Sequence, residues 1–241
     1  MSFTFKKPHN WSSMPLYMKI QFYKTKMNAD YEPYVDKLKA KEIVTSLCND
    51  IKVARVIRIL DGPNDFTVAD INEKHMIKAT HGSGWNINMN TTTNVTMVKN
   101  LLNRWNCKYN PVEELQYKYI IPRFFIEEKI DGIIGNALVY MIRCIHKKPV
   151  TIGVKLNCIQ NSYDINWNII GNDNLPFIQK PVCLPQMLKI AERLSSPFEF
   201  VRIDLYIENN SIYFSEYTFT PSRGAKIFST ELENSLGLLW T

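Results

Sequence analysis

The sequence predicts an α+β protein, and three observations predict it. The first is a β-hairpin near the C-terminal end. Phe198 to Ile207 mixes the apolar Phe200, Ile203 and Leu205 with Arg202 and Asp204, Glu208-Asn209-Asn210-Ser211 is turn chemistry, and Ile212 to Phe219 returns as a second strand. The second is a pair of amphipathic helices, Asp36 to Cys48 and Leu184 to Leu194. The third is a set of further short strands in the middle of the chain, separated by turn residues.

Composition sets the bounds. A chain of 241 residues, 45% apolar and 22% charged, is globular and long enough for one large or two small domains with a sizeable core. The net charge of +6 favours an anionic partner such as a nucleotide, an acidic glycan or nucleic acid. The basic residues are scattered and show no run of five, so no nucleic-acid arm is visible and no nucleic-acid partner is expected. The five cysteines (Cys48, Cys107, Cys144, Cys158 and Cys183) form no CxxC pair and, with four unclustered histidines, give no zinc spacing. Buried free thiols in a reducing compartment are the expectation. The N-terminus lacks a signal-peptide core. The most apolar stretch, Ile133 to Ile145, is interrupted by Gly135, Asn136 and Arg143 and is too short to span a bilayer. The expectation is a soluble cytoplasmic protein with no membrane partner.

In chain order, residues 1–16 are polar and aromatic without a period, and Met18 to Met27 reads as a short helix. The helix from Asp36 carries Leu38, Ile43, Val44 and Leu47 on one face and lysines on the other. Val53 to Leu60 reads as a strand, Pro63-Asn64 as a loop, and Thr67 to Glu73 as another short helix. Met76 to Ala79 is strand-like, His81-Gly82-Ser83-Gly84 is a turn, and Ile87, Met89 and Val95 suggest a returning strand. Thr96 to Trp105 keeps helical spacing through Val98, Leu101, Leu102 and Trp105. Phe124 to Ile126 is a short buried strand ending on Glu127-Glu128-Lys129. Ala137 to Ile145 and Val150 to Leu156 are two more strands, Tyr163 to Trp167 sits in a loop region, and the helix from Leu184 uses Met187, Leu188, Ile190, Ala191 and Leu194 as its core face.

Three places carry candidate chemistry. Arg202 and Asp204 are two apart and share one strand face, and the tight turn returns Glu216 beside Asp204. Two carboxylates side by side repel unless a cation lies between them, and Mg²⁺ with a substrate phosphate suits one or two carboxylates. A solvated face in which Arg202 neutralises an acid is the alternative. The Gly-Ser-Gly loop leaves backbone N–H groups free to face an anion that Lys78 could also reach, although an ordinary hairpin turn often carries the same residues. Glu127 and Glu128 at a strand end mark either a cleft or the point where the strand meets water.

Taken together, DKLKAKEIV, IKATHGSGWN, FIEEKI, YDINW and MLKIAERLSSPFEFVRIDLY…IYFSEYTFTPSRG resemble the TupA-like family of ATP-grasp proteins, from about Lys19 to the C-terminus. The resemblance implies an ATP-grasp fold: two α+β subdomains clasping ATP, with a short N-terminal helical segment. Residues 1–35 would be that segment and 36–241 the ATP-grasp domain, with a lid subdomain over about 70–130 and a core subdomain over about 131–241. It implies that Lys37 and Lys78 approach the phosphates and that His81, Gly82, Ser83 and Gly84 close over them. The hinge Glu127, Glu128, Lys129 and Ile130 would hold the adenine edge. Asp204 and Glu216 would hold Mg²⁺, and Arg202 would be the catalytic arginine. Thr218, Thr220, Ser222, Arg223 and Gly224 would line the substrate side.

Three departures are visible. Thr218 stands where many ATP-grasp ligases have Asn, Tyr140-Met141 stands where the family often has Tyr-Lys, and Lys41 stands where relatives usually have Arg. The implied function is an ATP- and Mg-dependent, ADP-forming carboxylate–amine ligase that works through an acyl phosphate and modifies a sugar or glycan precursor with an amino acid or similar group, its partner being a small-molecule or glycan-precursor substrate with a carboxylate and an amine. A phosphotransferase acting on a sugar or polyol hydroxyl and a non-catalytic nucleotide- or glycan-binding module are the alternatives. Oligomeric state is not implied.

Overall fold

The computed structural model describes residues 3–109, 114–130, 138–172 and 175–241. In chain order these give α1 (Leu16–Lys24), α2 (Glu32–Val35), α3 (Lys37–Leu47), β1 (Lys52–Val53), β2 (Val56–Leu60), β3 (His75–Ala79), β4 (Asn86–Asn88), α4 (Val95–Trp105) and β5 (Phe124–Glu128). Then come β6 (Val139–Ile145), β7 (Lys148–Leu156), β8 (Ile159–Tyr163), β9 (Ile169–Asn172), α5 (Leu184–Leu194), β10 (Phe200–Glu208), β11 (Ser211–Thr218) and α6 (Thr230–Leu238). The chain is α+β, as its sequence predicts.

The strands form two sheets. The larger has seven strands in the order β1-β11-β10-β6-β7-β8-β9, and the smaller has four in the order β2-β5-β3-β4. All pairs in the large sheet are antiparallel except β1 with β11. On one face of the large sheet lies α5, whose Met187, Ile190, Ala191 and Leu194 are buried in the same apolar cluster as Ile142, Ile152, Ile203 and Leu205. Burying four such side chains favours this docking by roughly 1.5–3 kcal/mol for each large one. The other face of β10 carries Phe200, Arg202, Asp204 and Tyr206 in succession, since alternate residues share a face. Its Phe200 end is closed by the ends of the chain, because Trp240 stacks on Phe200 at 5.0 Å and Tyr23 of α1 meets the same ring.

The smaller sheet has its own core. Leu60, Ile77, Phe124 and Ile126 pack against Val98 and Leu102 of α4 and against Phe66. This unit begins earlier than residue 70, because β2 pairs with β5 through Leu60 opposite Phe124. Residues 3–35, expected as a separate segment, share the core of the large sheet through Phe3, Trp11, Leu16, Tyr23 and Val35. Lys19 is buried there and donates to the carbonyls of Gly237 (2.7 Å) and Trp240 (2.6 Å), capping the end of α6. Gly237 has no room for a Cβ, which would run into the Met14 carbonyl and Pro15.

Several elements differ from expectation. Val95 opens α4 rather than continuing a strand, because the Asn94 side chain accepts from Met97 N (3.0 Å) and caps the helix. The expected helix from Thr67 is a single 3₁₀ turn, Val68–Asp70. Tyr163 ends β8, and the loop after it is tied by Asp164, which accepts from the N–H groups of Asn166 (2.9 Å) and Asn168 (2.8 Å). Trp167 then stacks on Tyr163 at 4.3 Å and donates to the Ile178 carbonyl. Strands β8 and β9 and helix α6 are additions to the expected elements. Ala137, the expected start of β6, lies outside the described residues, as do Gly135 and Asn136. Cys48 and Cys144 are buried free thiols as expected, whereas Cys107 and Cys158 are free but exposed. Among the described residues no helix is long and apolar enough to cross a membrane.

Candidate active site

The hairpin of β10 and β11 is the floor. Asp204 stands directly opposite Glu216, and the ladder shifts after them, so Ser215 is an extra residue on β11. Arg202 holds Asp204 in a two-pronged grip: Nε donates to Oδ1 at 2.7 Å and Nη2 to Oδ2 at 2.6 Å. The same Nη2 donates to Thr218 Oγ1 at 3.1 Å. The Thr218 hydroxyl also lies 3.3 Å from Glu216 Oε1 and 3.4 Å from Asp204 Oδ2. Asp204 is only 3% exposed, and its burial pushes its carboxyl up to about 6 against the opposing pull of Arg202. Burial also works against the charge on Arg202, but Asp204 outweighs it and holds the guanidinium above its ordinary value. Glu216 is the accessible acid, with 43% of its side chain exposed.

The walls bring cations. Helix α3 starts at Lys37 because the buried Asp36 caps it, accepting from Leu38 N (2.9 Å) and Lys39 N (3.2 Å), while its other oxygen takes Arg123 Nη2 (2.8 Å). Lys37 Nζ then donates to the Gly82 carbonyl at 2.8 Å. Burial lowers the Lys37 pKa to about 8, and Lys78 adds to that. One turn along α3, Lys41 Nζ lies 2.9 Å from Glu127 Oε2 and donates to the Ala54 carbonyl at 2.8 Å. Lys78 Nζ pairs with the other oxygen, Glu127 Oε1, at 2.5 Å. Burial would raise the Glu127 pKa, but the two lysines overcome it and hold the carboxyl below its usual range. Burial would likewise discharge Lys78, and Glu127 prevents it.

These groups surround a cavity of about 340 Å³ lined by Lys37, Lys78, Ser83, Gly84, Glu127 and Glu216 among others. A neighbouring hollow of about 490 Å³ shares Ala54, Glu128 and Ile130 with it and extends it along the hinge. Cavities of this size, running between two sheets and lined by lysines and glutamates, take small polar ligands.

A family model described as TupA-like ATPgrasp matches residues 17–240. The chain belongs to the TupA-like ATP-grasp family. A search of curated protein sequences finds no match. Among solved structures, the fold is similar to D-alanine–D-alanine ligase from Helicobacter pylori (TM-score 0.52, 15% identity, covering 86% of this chain and 60% of that one). It is also similar to D-alanine–D-alanine ligase from Bacillus anthracis (TM-score 0.50, 14% identity, covering 77% and 57%). The TupA-like chain thus spans less than two thirds of the length of these ligases.

In this TupA-like ATP-grasp protein the expected site residues divide. Lys37, Lys78, Ser83, Gly84, Glu127, Glu128, Ile130 and Glu216 line the cavity. Arg202, Asp204 and Thr218 adjoin Glu216 on the floor. His81 does not face the cavity. It is buried, its Nε2–H donates to the Trp105 carbonyl (2.8 Å), and its ring meets Trp85 edge-on, so it anchors the loop instead of covering phosphates. Gly82 sits beneath it with φ +80° and offers its carbonyl to Lys37. Lys129 is turned away, donating to the Glu73 and Met89 carbonyls at 2.7 Å each. Glu128 pairs with Arg55 at the surface, and the N–H groups of Glu128 and Lys129 donate to the Arg55 and Lys74 carbonyls.

None of Thr220, Ser222, Arg223 and Gly224 lines the cavity. Thr220 is buried and accepts from Gln116 Nε2 (3.1 Å), the Gly224 carbonyl accepts from Gln21 Nε2 (2.9 Å), and Ser222 and Arg223 are exposed. Sequence reasoning missed Lys41 as a site residue and Glu127 as the anion shared by two lysines. The signal for Lys41 was present, since positions four apart share a helix face.

The lysines of the cavity lining, Lys37, Lys41 and Lys78, and the open space around Gly84, where a Cβ would meet nothing within 4 Å, suit the phosphates of a nucleotide. Among the described residues no three acidic, histidine or cysteine side chains converge as a metal cage. Asp204 and Glu216, opposite one another, fit Mg²⁺ in the two-carboxylate manner that needs phosphate oxygens to complete the shell.

Proposed function

We infer that the protein is an ATP- and Mg²⁺-dependent ligase that joins a carboxylate to an amine through an acyl phosphate. The carrying observation is the floor cluster, in which Arg202 lies against Asp204 and Thr218 and 3.9 Å from Glu216, in a molecule whose cavity is lined by Lys37 and Lys78. ATP supplies the phosphoryl group that turns a carboxylate oxygen into a leaving group, with Mg²⁺ screening its phosphates.

The chain's own residues supply the rest. Lys37 and Lys78 neutralise phosphate charge, and Ser83 and Gly84 offer backbone donors. Asp204 and Glu216 provide the oxygens for the metal, and Glu127 keeps Lys78 charged and aimed. The Ile130 backbone would hold the adenine edge. The amine nitrogen attacks the acyl carbon, the C–O bond to phosphate breaks, and the amine proton leaves to water. Arg202 stabilises the negative oxygen that develops in that attack, which is worth about 3 kcal/mol for a well-placed donor. An acceptor drawn from sugar or glycan precursors, with an amino acid as partner, is the substrate class we propose on the resemblance alone.

With the correct acid and Mg·ATP but no amine, hydroxylamine should trap a hydroxamate with release of ADP and phosphate. Arg202→Met should lower hydroxamate formation about a hundredfold. A stable phosphorylated product with neither hydroxamate nor free phosphate would replace the ligase reading with a phosphotransferase.

A further inference from the structure

An anomalous charge lies beside the floor. Arg143 on β6 is directly opposite Arg202 on β10, so the two guanidinium groups share one face of the sheet. Arg143 is 1% exposed. Among the described residues its one hydrogen bond runs from Nη1 to Thr151 Oγ1 at 3.5 Å, the outer limit of such a bond. No carboxylate of the described residues pairs with it. The two nearby acids are committed elsewhere: both oxygens of Asp204 accept from Arg202, and those of Glu233 accept from the N–H groups of Tyr17, Ile227 and Phe228. The Phe228 ring lies 5.0 Å from the Arg143 guanidinium carbon. A ring face attracts the cation, but it accepts none of the in-plane N–H groups at hydrogen-bond strength. Burial pushes the Arg143 pKa down to about 9, with Arg202 contributing, which leaves the group charged at neutral pH.

A buried, unpaired guanidinium and two like charges opposite each other are both unfavourable, and an anion between them relieves both. The space beside Arg143 is filled by a side chain able to move. Gly153 on β7 has no side chain, and a Cβ there would lie 3.7 Å from Arg143 Nη1 and 2.8 Å from Met141 Cε. The group filling that space is a flexible, unbranched Met141. On the other side, Phe228 follows a segment in which Ser222, Arg223 and Gly224 all have left-handed backbone (φ 51°, 56° and 78°). Non-glycine residues in that conformation store strain, which is commonest at clamps and lids.

We propose that Arg143 binds a second oxyanion of the acceptor, a carboxylate or a phosphate beyond the reacting carboxylate that Arg202 serves, making this a ligase for doubly anionic acceptors. This rests on the ligase reading, and its test is a binding experiment without turnover, so the two can fail separately. Titration calorimetry on the full chain with Mg²⁺ and a non-hydrolysable ATP analogue would use inorganic phosphate and succinate as separate probes.

At least one probe should bind the wild type. Arg143→Met should weaken it about tenfold to a hundredfold, and Arg143→Lys by less. Tight binding of phosphate alone points to a phosphorylated acceptor, and of succinate alone to a dicarboxylate. Removing an unpaired buried charge should also raise the melting temperature of the ligand-free Arg143→Met protein, the reverse of what a purely structural arginine gives. Binding unchanged in Arg143→Met, no binding of either probe to the wild type, or a ligand-free Arg143→Met protein that melts lower would each overturn the proposal.

Discussion

Lys37 joins two events through one ammonium group. It donates to the Gly82 carbonyl, and it faces the cavity that Lys78 and Glu216 also line. Its pKa is lowered to about 8 by burial, below the ordinary lysine value of 10.5. The sign follows directly: the unfolded chain holds this proton more tightly, so stability from this group rises with pH between about 8 and 10.5 and is lost as pH falls through 8. A phosphate placed beside it restores the charged form. Nucleotide binding at about pH 9 should therefore take up protons, seen as a buffer-dependent heat in calorimetry, and Lys37→Met should abolish that uptake. Equal heats in buffers of different ionisation enthalpy would remove Lys37 from the phosphate site. At this scale the sequence was partly legible. The spacing around a tight turn was enough to set Asp204 opposite Glu216, because strand pairing is periodic. The lack of a carboxylate partner for Arg143 among the described residues was not legible, because burial of one long side chain depends on what α6 and the segment before it lay across the sheet.

At the scale of elements, the loop His81 to Gly84 owes its form to aromatic packing behind it. Trp85 stacks on Trp105 at 5.6 Å with planes 6° apart, and Tyr109 meets Trp85 edge-on. Gly82 fits against this stack with φ +80°, and a Cβ there would come within 2.9 Å of the Trp85 ring. Gly82→Ala should loosen the loop by about 1–3 kcal/mol, from both strain and crowding. Hydrogen exchange over residues 80–86 should quicken and the Michaelis constant for ATP should rise, while exchange in β10 and β11 stays as it was. Protection of the loop unchanged in Gly82→Ala would show that the stack does not set its conformation. The hairpin, α3 and α5 were readable from periodicity alone, since each has one wet and one dry face. Strands β8 and β9 were not, because Ile159 and Ile169 are exposed and their runs do not alternate cleanly. Helix α6 escaped for a related reason: its buried residues include Glu233 and Gly237, which no apolar pattern reveals. His81 shows the limit of motif reading, since a residue inside a recognisable loop turned out to be its anchor.

Across the whole molecule, the two sheets confront each other over side chains several of which are already engaged within the chain. Arg202 closes on Asp204, Lys41 and Lys78 close on Glu127, and Lys37 closes on the Gly82 carbonyl. At rest the cleft is therefore electrically quiet. A bare divalent ion arriving at Asp204 finds both oxygens held, and must compete with a guanidinium for them. A bare phosphate meets lysines that already have partners. Only a ligand that brings cation and anion in one parcel can exchange every internal pair at once, giving the acids a metal and the lysines a phosphate. On the proposed function, the cleft would discriminate against metal or phosphate arriving alone. Equilibrium dialysis with Mn²⁺ as reporter should find no retained metal at concentrations where addition of ATP makes one ion per chain bind, and retention by the nucleotide-free protein would show that the guanidinium yields to metal unaided.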